Sequence, residues 1–160
     1  MTDNRQPEEE GAFRHSLPIQ IRFNDVDRYG HVNNNAYFAY YDLGKEEYLR
    51  AVLSGEYRAT TVAPVIANIN ADFITPIYYG DEIAIETRVG HMGRKSFTLE
   101  QRAVNTRTGA VLCRCRTVMV CFDFTTQQSA ELPDAYRRAF SEYEAGAKEA
   151  AAGDGGAARA

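Results

Sequence analysis

Residues 21–49 read IRFNDVDRYGHVNNNAYFAYYDLGKEEYL. Two hydrophobic periods meet in this stretch. Upstream, Leu17, Ile19, Ile21 and Phe23 alternate with Gln20 and Arg22, the pattern of a half-buried strand over residues 16–24. Gly30 interrupts the pattern. Downstream, Tyr37, Tyr41, Gly44 and Tyr48 recur at helical spacing, with Phe38, Leu49 and Val52 beside them. Asn33 or Asn34 can cap this helix, because an Asn side chain accepts from the free amides of a first turn. Gly44 on the apolar face is costly to an isolated helix, which predicts close packing against another backbone.

The join between strand and helix, Asp25-Val26-Asp27-Arg28-Tyr29-Gly30-His31-Val32-Asn33-Asn34-Asn35, puts two carboxylates and a glycine turn beside a helix N-terminus. Free amides at a helix start can polarise a carbonyl and stabilise an oxyanion. A carboxylate nearby can attack that carbonyl or activate water against it. The residue types therefore suit acyl transfer to water. Spacing alone leaves a second reading open, and prefers it: Asp25 and Asp27 satisfy turn amides while His31 packs under the helix.

After residue 57 the period becomes two. Ala67, Ile69, Ala71 and Phe73 oppose Asn68, Asn70 and Asp72, and Pro76 and Tyr79-Gly80-Asp81 end the strand. Ile83, Ile85 and Val89 mark a further strand, Phe97, Leu99 and Ala103 another, and Asn105–Gly109 a hairpin turn. A long strand follows from Ala110 to about Asp123, and Leu132-Pro133-Asp134 opens a short amphipathic helix. Hairpin-length links predict antiparallel pairing. The expected class is α+β, a single antiparallel sheet with one long helix on its inner face and a short C-terminal helix.

The chain has 160 residues, enough for one domain. We expect a flexible arm over 1–14, the domain over 15–144, and a disordered Ala/Gly-rich tail over 145–160. No apolar run is long enough to span a membrane, and the acidic start MTDNRQPEEEGAF lacks signal-peptide character. Three cysteines bunched at 113, 115 and 121 do not make a disulfide framework, so a cytoplasmic protein is expected. The net charge of −4 argues against a general nucleic-acid binder. Locally, seven basic residues and one acid lie between Arg88 and Arg116, a candidate site for an anionic ligand. His15, His31 and His91 are scattered and no Cys-x-x-Cys occurs, so no metal site is expected.

The opening stretch also resembles the signature of the hotdog-fold acyl-CoA thioesterases, the 4-hydroxybenzoyl-CoA thioesterase-like family. That signature is an aromatic, one residue, Asp-x-Asp-x-x-Gly-His-Val-Asn-Asn, then a Tyr three residues on. Phe23, Asp25, Asp27, Gly30, His31, Val32, Asn33, Asn34 and Tyr37 fall in register. The resemblance continues through ANINADFITPIYYGDEIAIETRVGHMGRKSFTLEQRAV, residues 67–104, and covers about 16–140. It implies a hotdog fold and hydrolysis of acyl-CoA to free acid and CoA, with no metal or redox cofactor. It places the catalytic carboxylate, nucleophile or general base, at Asp27, and the polarising backbone amide at Asn34. Asp25 shapes the turn. His31 and Asn33 orient the loop, with a direct role for His31 left open.

The resemblance further implies CoA contacts from Arg94, Lys95 and Ser96, which otherwise read as a solvated hairpin turn. Gly93 stands where some relatives carry a basic residue, so one phosphate contact is missing. Tyr37, Tyr40 and Tyr41 line an acyl pocket or belong to the core. The strand bearing Asn68, Asn70 and Asp72 is expected to pair with its twin in a homodimer or homotetramer. Two alternatives remain beside acyl-CoA hydrolysis: action on acyl carrier protein, met by the basic segment, or non-catalytic acyl-CoA binding.

Overall fold

The computed structural model describes residues 12–54 and 60–154. Strand β1 (His15–Ile19) leads through a 3-10 turn (Phe23–Asp25) to helix α1 (Asn34–Val52). Strands β2 (Val62–Phe73), β3 (Ile83–Met92), β4 (Ser96–Asn105) and β5 (Val111–Asp123) follow. A two-residue strand β6 (Gln128–Ser129) and helix α2 (Asp134–Asp154) complete the order. The strands form one antiparallel sheet in the order β1-β3-β4-β5-β2, with β6 on β5. Helix α1 lies on the inner face, chiefly against β3, β1 and β4. This is the α+β, hotdog arrangement expected.

The alternation that marks each strand becomes the division between faces. On β5, Cys113, Cys115, Thr117, Met119 and Cys121 point inward and are buried, while Arg114 and Arg116 are exposed on the outer face. All three cysteines are free thiols. Around α1 the core divides into two clusters. Tyr37, Tyr40 and Tyr41 near the helix start pack with Ile77, Ile83, Ile85 and Cys113. Tyr48 and Leu49 near its end pack with Phe97, Leu99, Met119, Tyr136 and Phe140. Gly44 sits between the clusters. A Cβ there would lie 2.5 Å from Ile85 Cγ2 and 3.1 Å from Gln101 Nε2, so Gly44 is closely packed, but against side chains of the sheet rather than against the backbone expected.

Several expectations change. The first strand ends at Ile19 rather than residue 24, and Phe23, placed with the buried set by alternation, is 76% exposed in the 3-10 turn. β2 and β3 are not hairpin partners. Residues 74–82 carry the chain beneath the start of α1, with Ile77 fully buried and its carbonyl accepting from Val32 N at 2.8 Å. β2 therefore lands beyond β5 as an edge strand. Helix α2 continues to Asp154, past residue 144 where the domain was expected to end. Ala has the highest helix propensity, which suits this Ala-rich stretch. At the other end, Phe13 lies under the guanidinium groups of Arg88 and Arg102, 4.5 and 4.3 Å from the ring centre. Arg14 lies over the Tyr143 ring at 4.6 Å. Residues 1–11 of the expected arm lie outside those described, as do 155–160 of the tail.

Candidate active site

Val26 and Val32 form an isolated antiparallel bridge, which folds residues 25–33 into a small closed loop. Gly30 makes the reversal with φ +76°, a conformation most side chains resist. Asp25 ties the loop's base: Oδ2 accepts Arg22 N at 2.8 Å and Tyr40 OH at 2.7 Å, and its carbonyl accepts Asn33 N at 2.7 Å. Asp27 occupies the tip. Its Oδ1 accepts Tyr29 N at 2.8 Å and His31 N at 3.2 Å. Its Oδ2 has no hydrogen-bond partner among the described residues. One oxygen is thus anchored while the other remains open to a ligand.

Asn33 is the N-cap of α1, its side chain accepting Asn35 N at 3.1 Å. The N–H of Asn34, the first helical residue, has no acceptor among the described residues. No acidic side chain stands in the first turn of α1 to compete for these amides. An unquenched helix N-terminus carries a partial positive charge suited to a carbonyl or oxyanion. Asp27 and Asn34 line one cleft of about 320 Å³, together with His31, Asn33, Tyr37 and Phe73. Asp27 and Asn34 are therefore residues of one cleft.

The tyrosines separate. Tyr37 lines the cleft, its ring edge-on to Phe73 at 5.0 Å, and burial raises its phenol pKa. Tyr40 is turned to Asp25, and burial first, then that carboxylate, holds its phenol protonated. Tyr41 is 2% exposed among core residues and does not line the cleft. His31 reaches Asp27 through its backbone, while its imidazole stands edge-on to Tyr78 at 4.9 Å. Phe73, Thr75 and Pro76 also line the cleft, and sequence reasoning missed them as site residues. Nothing in their local pattern distinguishes them; Phe73 arrives at the end of β2, and Thr75 and Pro76 through the crossing of residues 74–82 under the helix.

Arg94, Lys95 and Ser96 lie at the β3–β4 turn, beside the cluster at the far end of α1. Within one chain this turn is about 20 Å along the sheet from the end carrying Asp27. Arg94 pairs with Glu131 at 3.5 Å on the surface, and Lys95 Nζ donates to Ser129 Oγ at 3.0 Å. The Arg88–Arg116 segment is not an open cationic field. Arg88 pairs with Glu100, Arg102 with Glu86, and Arg114 stands opposite Asp72 in the β2–β5 register. Counting charge along the sequence missed this because the partners are brought in by strand register. Among the described residues no three His, Cys, Asp or Glu side chains gather as a metal site. None of the described helices is long and apolar enough to cross a membrane.

Sequence comparison places this geometry in a family. The profile of the thioesterase-like superfamily matches residues 21–140, and the chain belongs to that superfamily. Its fold is the hotdog fold and its family is one of thioester hydrolases. The long-chain acyl-CoA thioesterase FadM of Escherichia coli K12 is 28% identical over 115 residues, 71% of this chain and 87% of that one. The acyl-CoA thioester hydrolase YbgC of Escherichia coli O6:H1 is 26% identical over 118 residues, covering 72% and 87%. Among solved structures, a Thermus thermophilus thioesterase complexed with coenzyme A and Zn superposes with a TM-score of 0.70 at 26% identity, over 80% of this chain and 98% of that one. The Pseudomonas aeruginosa PA5185 protein shares the fold with a TM-score of 0.74 at 24% identity, over 82% and 92%.

Proposed function

We propose that the protein hydrolyses acyl-CoA thioesters to free acid and CoA, with Asp27 as nucleophile or general base and the Asn34 amide polarising the thioester carbonyl. One observation carries this reading: Asp27, with its half-anchored carboxylate, and Asn34, with its acceptor-free amide, are lining residues of the same cleft. As nucleophile, Asp27 forms an acyl anhydride and expels CoA thiolate, and water then cleaves the anhydride. As general base, it takes a proton from water while water attacks the carbonyl, and the tetrahedral intermediate then breaks its C–S bond and expels CoA thiolate, which takes up the proton. Either way the negative charge on the carbonyl oxygen develops against the start of α1. His31 and Asn33 hold this geometry, His31 through its backbone and Asn33 as the cap.

The site is completed by a second subunit in this reading. β2 is an edge strand, and Ile66, Ile69 and Phe73 are 38–44% exposed on its inner side. A twelve-residue edge strand that exposes three large apolar side chains favours pairing with another strand. Antiparallel pairing of β2 with its twin sets the Phe73 end of one subunit against the Val62 end of the other. Ser96, Val120 and Val65 lie in one cross-strand row near that Val62 end. The partner subunit's Arg94–Ser96 turn then stands about two strand spacings, or about 10 Å, from the shared edge. That is the arrangement in which Arg94, Lys95 and Ser96 meet the CoA phosphates of the neighbouring site.

An acyl carrier protein is the less favoured substrate carrier, because Glu100 and Glu86 pair with Arg88 and Arg102, basic residues an acidic partner would use. Simple acyl-CoA binding gives no reason for an anchored carboxylate beside the carbonyl position. The test is thiol release from a panel of short, medium, long and aromatic acyl-CoAs. Turnover by the wild type that is lost in Asp27→Asn supports the reading; equal rates for both proteins would end it.

A further inference from the structure

The closed loop that presents Asp27 is joined to α1 by two residues, Asn33 and Tyr40, which both donate to Asp25. At the helix start, Asn33 N donates to the Asp25 carbonyl at 2.7 Å. Seven residues further along the chain, Tyr40 OH donates to Asp25 Oδ2 at 2.7 Å. The same oxygen accepts Arg22 N at 2.8 Å, which joins the strand side of the loop to the helix side. Tyr40 is 4% exposed and packs in the cluster with Val32 and Ile77, so its ring cannot swing freely. The catalytic reading needs a fixed separation between a carboxylate on the loop and an amide on the helix. A single bond at the helix start leaves the loop able to pivot about Asn33; a second bond to the same residue, from a buried side chain rooted about two turns further along the helix, removes that freedom.

We propose that Tyr40 is a positioning residue for the thioesterase reaction, acting through Asp25 to hold the Asp27 loop at a fixed angle to the start of α1. Tyr40 does not touch the substrate, since it does not line the cleft that Asp27 and Asn34 share. Its influence is on the geometry of the reacting pair, where displacement of about 1 Å can cost on the order of a hundredfold in rate. Burial and the Asp25 carboxylate keep the phenol protonated, so the donor persists through the neutral pH range. Substrate recognition by groups outside this loop is left unaffected. The inference rests on Asp27 and Asn34 being the reacting groups.

The test compares wild type, Tyr40→Phe, Asp25→Ala, the double variant and Asp27→Asn in one acyl-CoA thiol-release assay. Tyr40→Phe keeps the buried ring and removes only the hydroxyl. The expected result is a loss in kcat of at least about tenfold, with KM within about twofold of wild type. In the Asp25→Ala background the same substitution is expected to change kcat by less than about twofold, because the partner is already gone. A wild-type kcat for Tyr40→Phe, or the same fold-loss in both backgrounds, would overturn the proposal. Should Tyr40→Phe not fold, Asp25→Asn keeps an acceptor and is expected to retain far more kcat than Asp25→Ala; equal kcat for those two would also overturn it. Asp27→Asn separates the layers: an active Asp27→Asn protein refutes the catalytic reading itself, whereas an inactive one beside a fully active Tyr40→Phe refutes only the role of Tyr40.

Discussion

Gly44→Ala tests how tightly the central helix is set against the sheet. A methyl at this position would stand 2.5 Å from Ile85 Cγ2, where ordinary carbon contacts begin near 3.5 Å. Ile85 is fully buried and lies between Leu17 and Ala103 in the sheet, so it cannot yield easily. The helix must then withdraw by about 1 Å, which also stretches the 2.9 Å bond from Gln101 Nε2 to the Tyr41 carbonyl. Overpacking of this kind costs about 1–3 kcal/mol. Replacing Gly by Ala inside a helix returns about 1 kcal/mol. The net expectation is a loss of up to about 2 kcal/mol, read as a lower urea midpoint with an unchanged slope. Because the start of α1 moves with the helix, kcat is expected to fall by more than this stability loss alone would suggest. A Gly44→Ala protein as stable and as active as wild type would refute the close-packing argument.

Glu144→Gln addresses the docking of α2. Glu144 Oε1 accepts Tyr48 OH and Val89 N, and burial raises its carboxyl pKa, against the opposing pull of those bonds and of Arg88. A raised folded-state pKa means that the carboxyl's contribution to stability is present in full below the unfolded pKa of about 4.3 and is lost as pH rises through the folded value. Thermal melts from pH 4.5 to 7.5 should show wild type losing more stability across that window than Glu144→Gln; identical pH slopes would contradict this. Replacing Arg94 and Lys95 together by Ala is expected to raise KM for acyl-CoA several-fold while changing kcat less, because remote phosphate binding is largely equal in ground and transition states. An unchanged KM would return that turn to a solvated surface role.

Periodicity carried the central features of the fold. Tyr37, Tyr41, Gly44 and Tyr48 were legible as one buried helix face because a helix repeats that spacing, and the same holds for the two faces of β5. What escaped depends on pairing between distant segments. The crossing that takes β2 to β5 leaves no local mark, since residues 74–82 look like any turn-rich link. Phe23 continued an apolar alternation, yet the backbone had already turned into a 3-10 segment. The basic run from Arg88 to Arg116 looked unopposed because Glu86 lies outside it and its pairing with Arg102 exists only across strands. The candidate site divides in the same way. Asp27 and Asn34 were singled out by the family resemblance of one continuous stretch, not by spacing alone, whereas Phe73 and Thr75 enter the cleft from another part of the chain. The bond from Tyr40 to Asp25 spans fifteen residues and could not be read from spacing.

Catalysis in this reading turns on Asp27 and the cleft it shares with the start of α1. The most direct test is single-turnover thiol release from an acyl-CoA that the wild type hydrolyses, measured with Asp27→Asn protein whose melt and CoA binding match wild type. The expected result is bound substrate and a loss of at least about a thousandfold in the chemical step, on the scale seen when an essential reacting group is removed. Release by Asp27→Asn at close to the wild-type rate would contradict the assignment and move the chemistry to another residue.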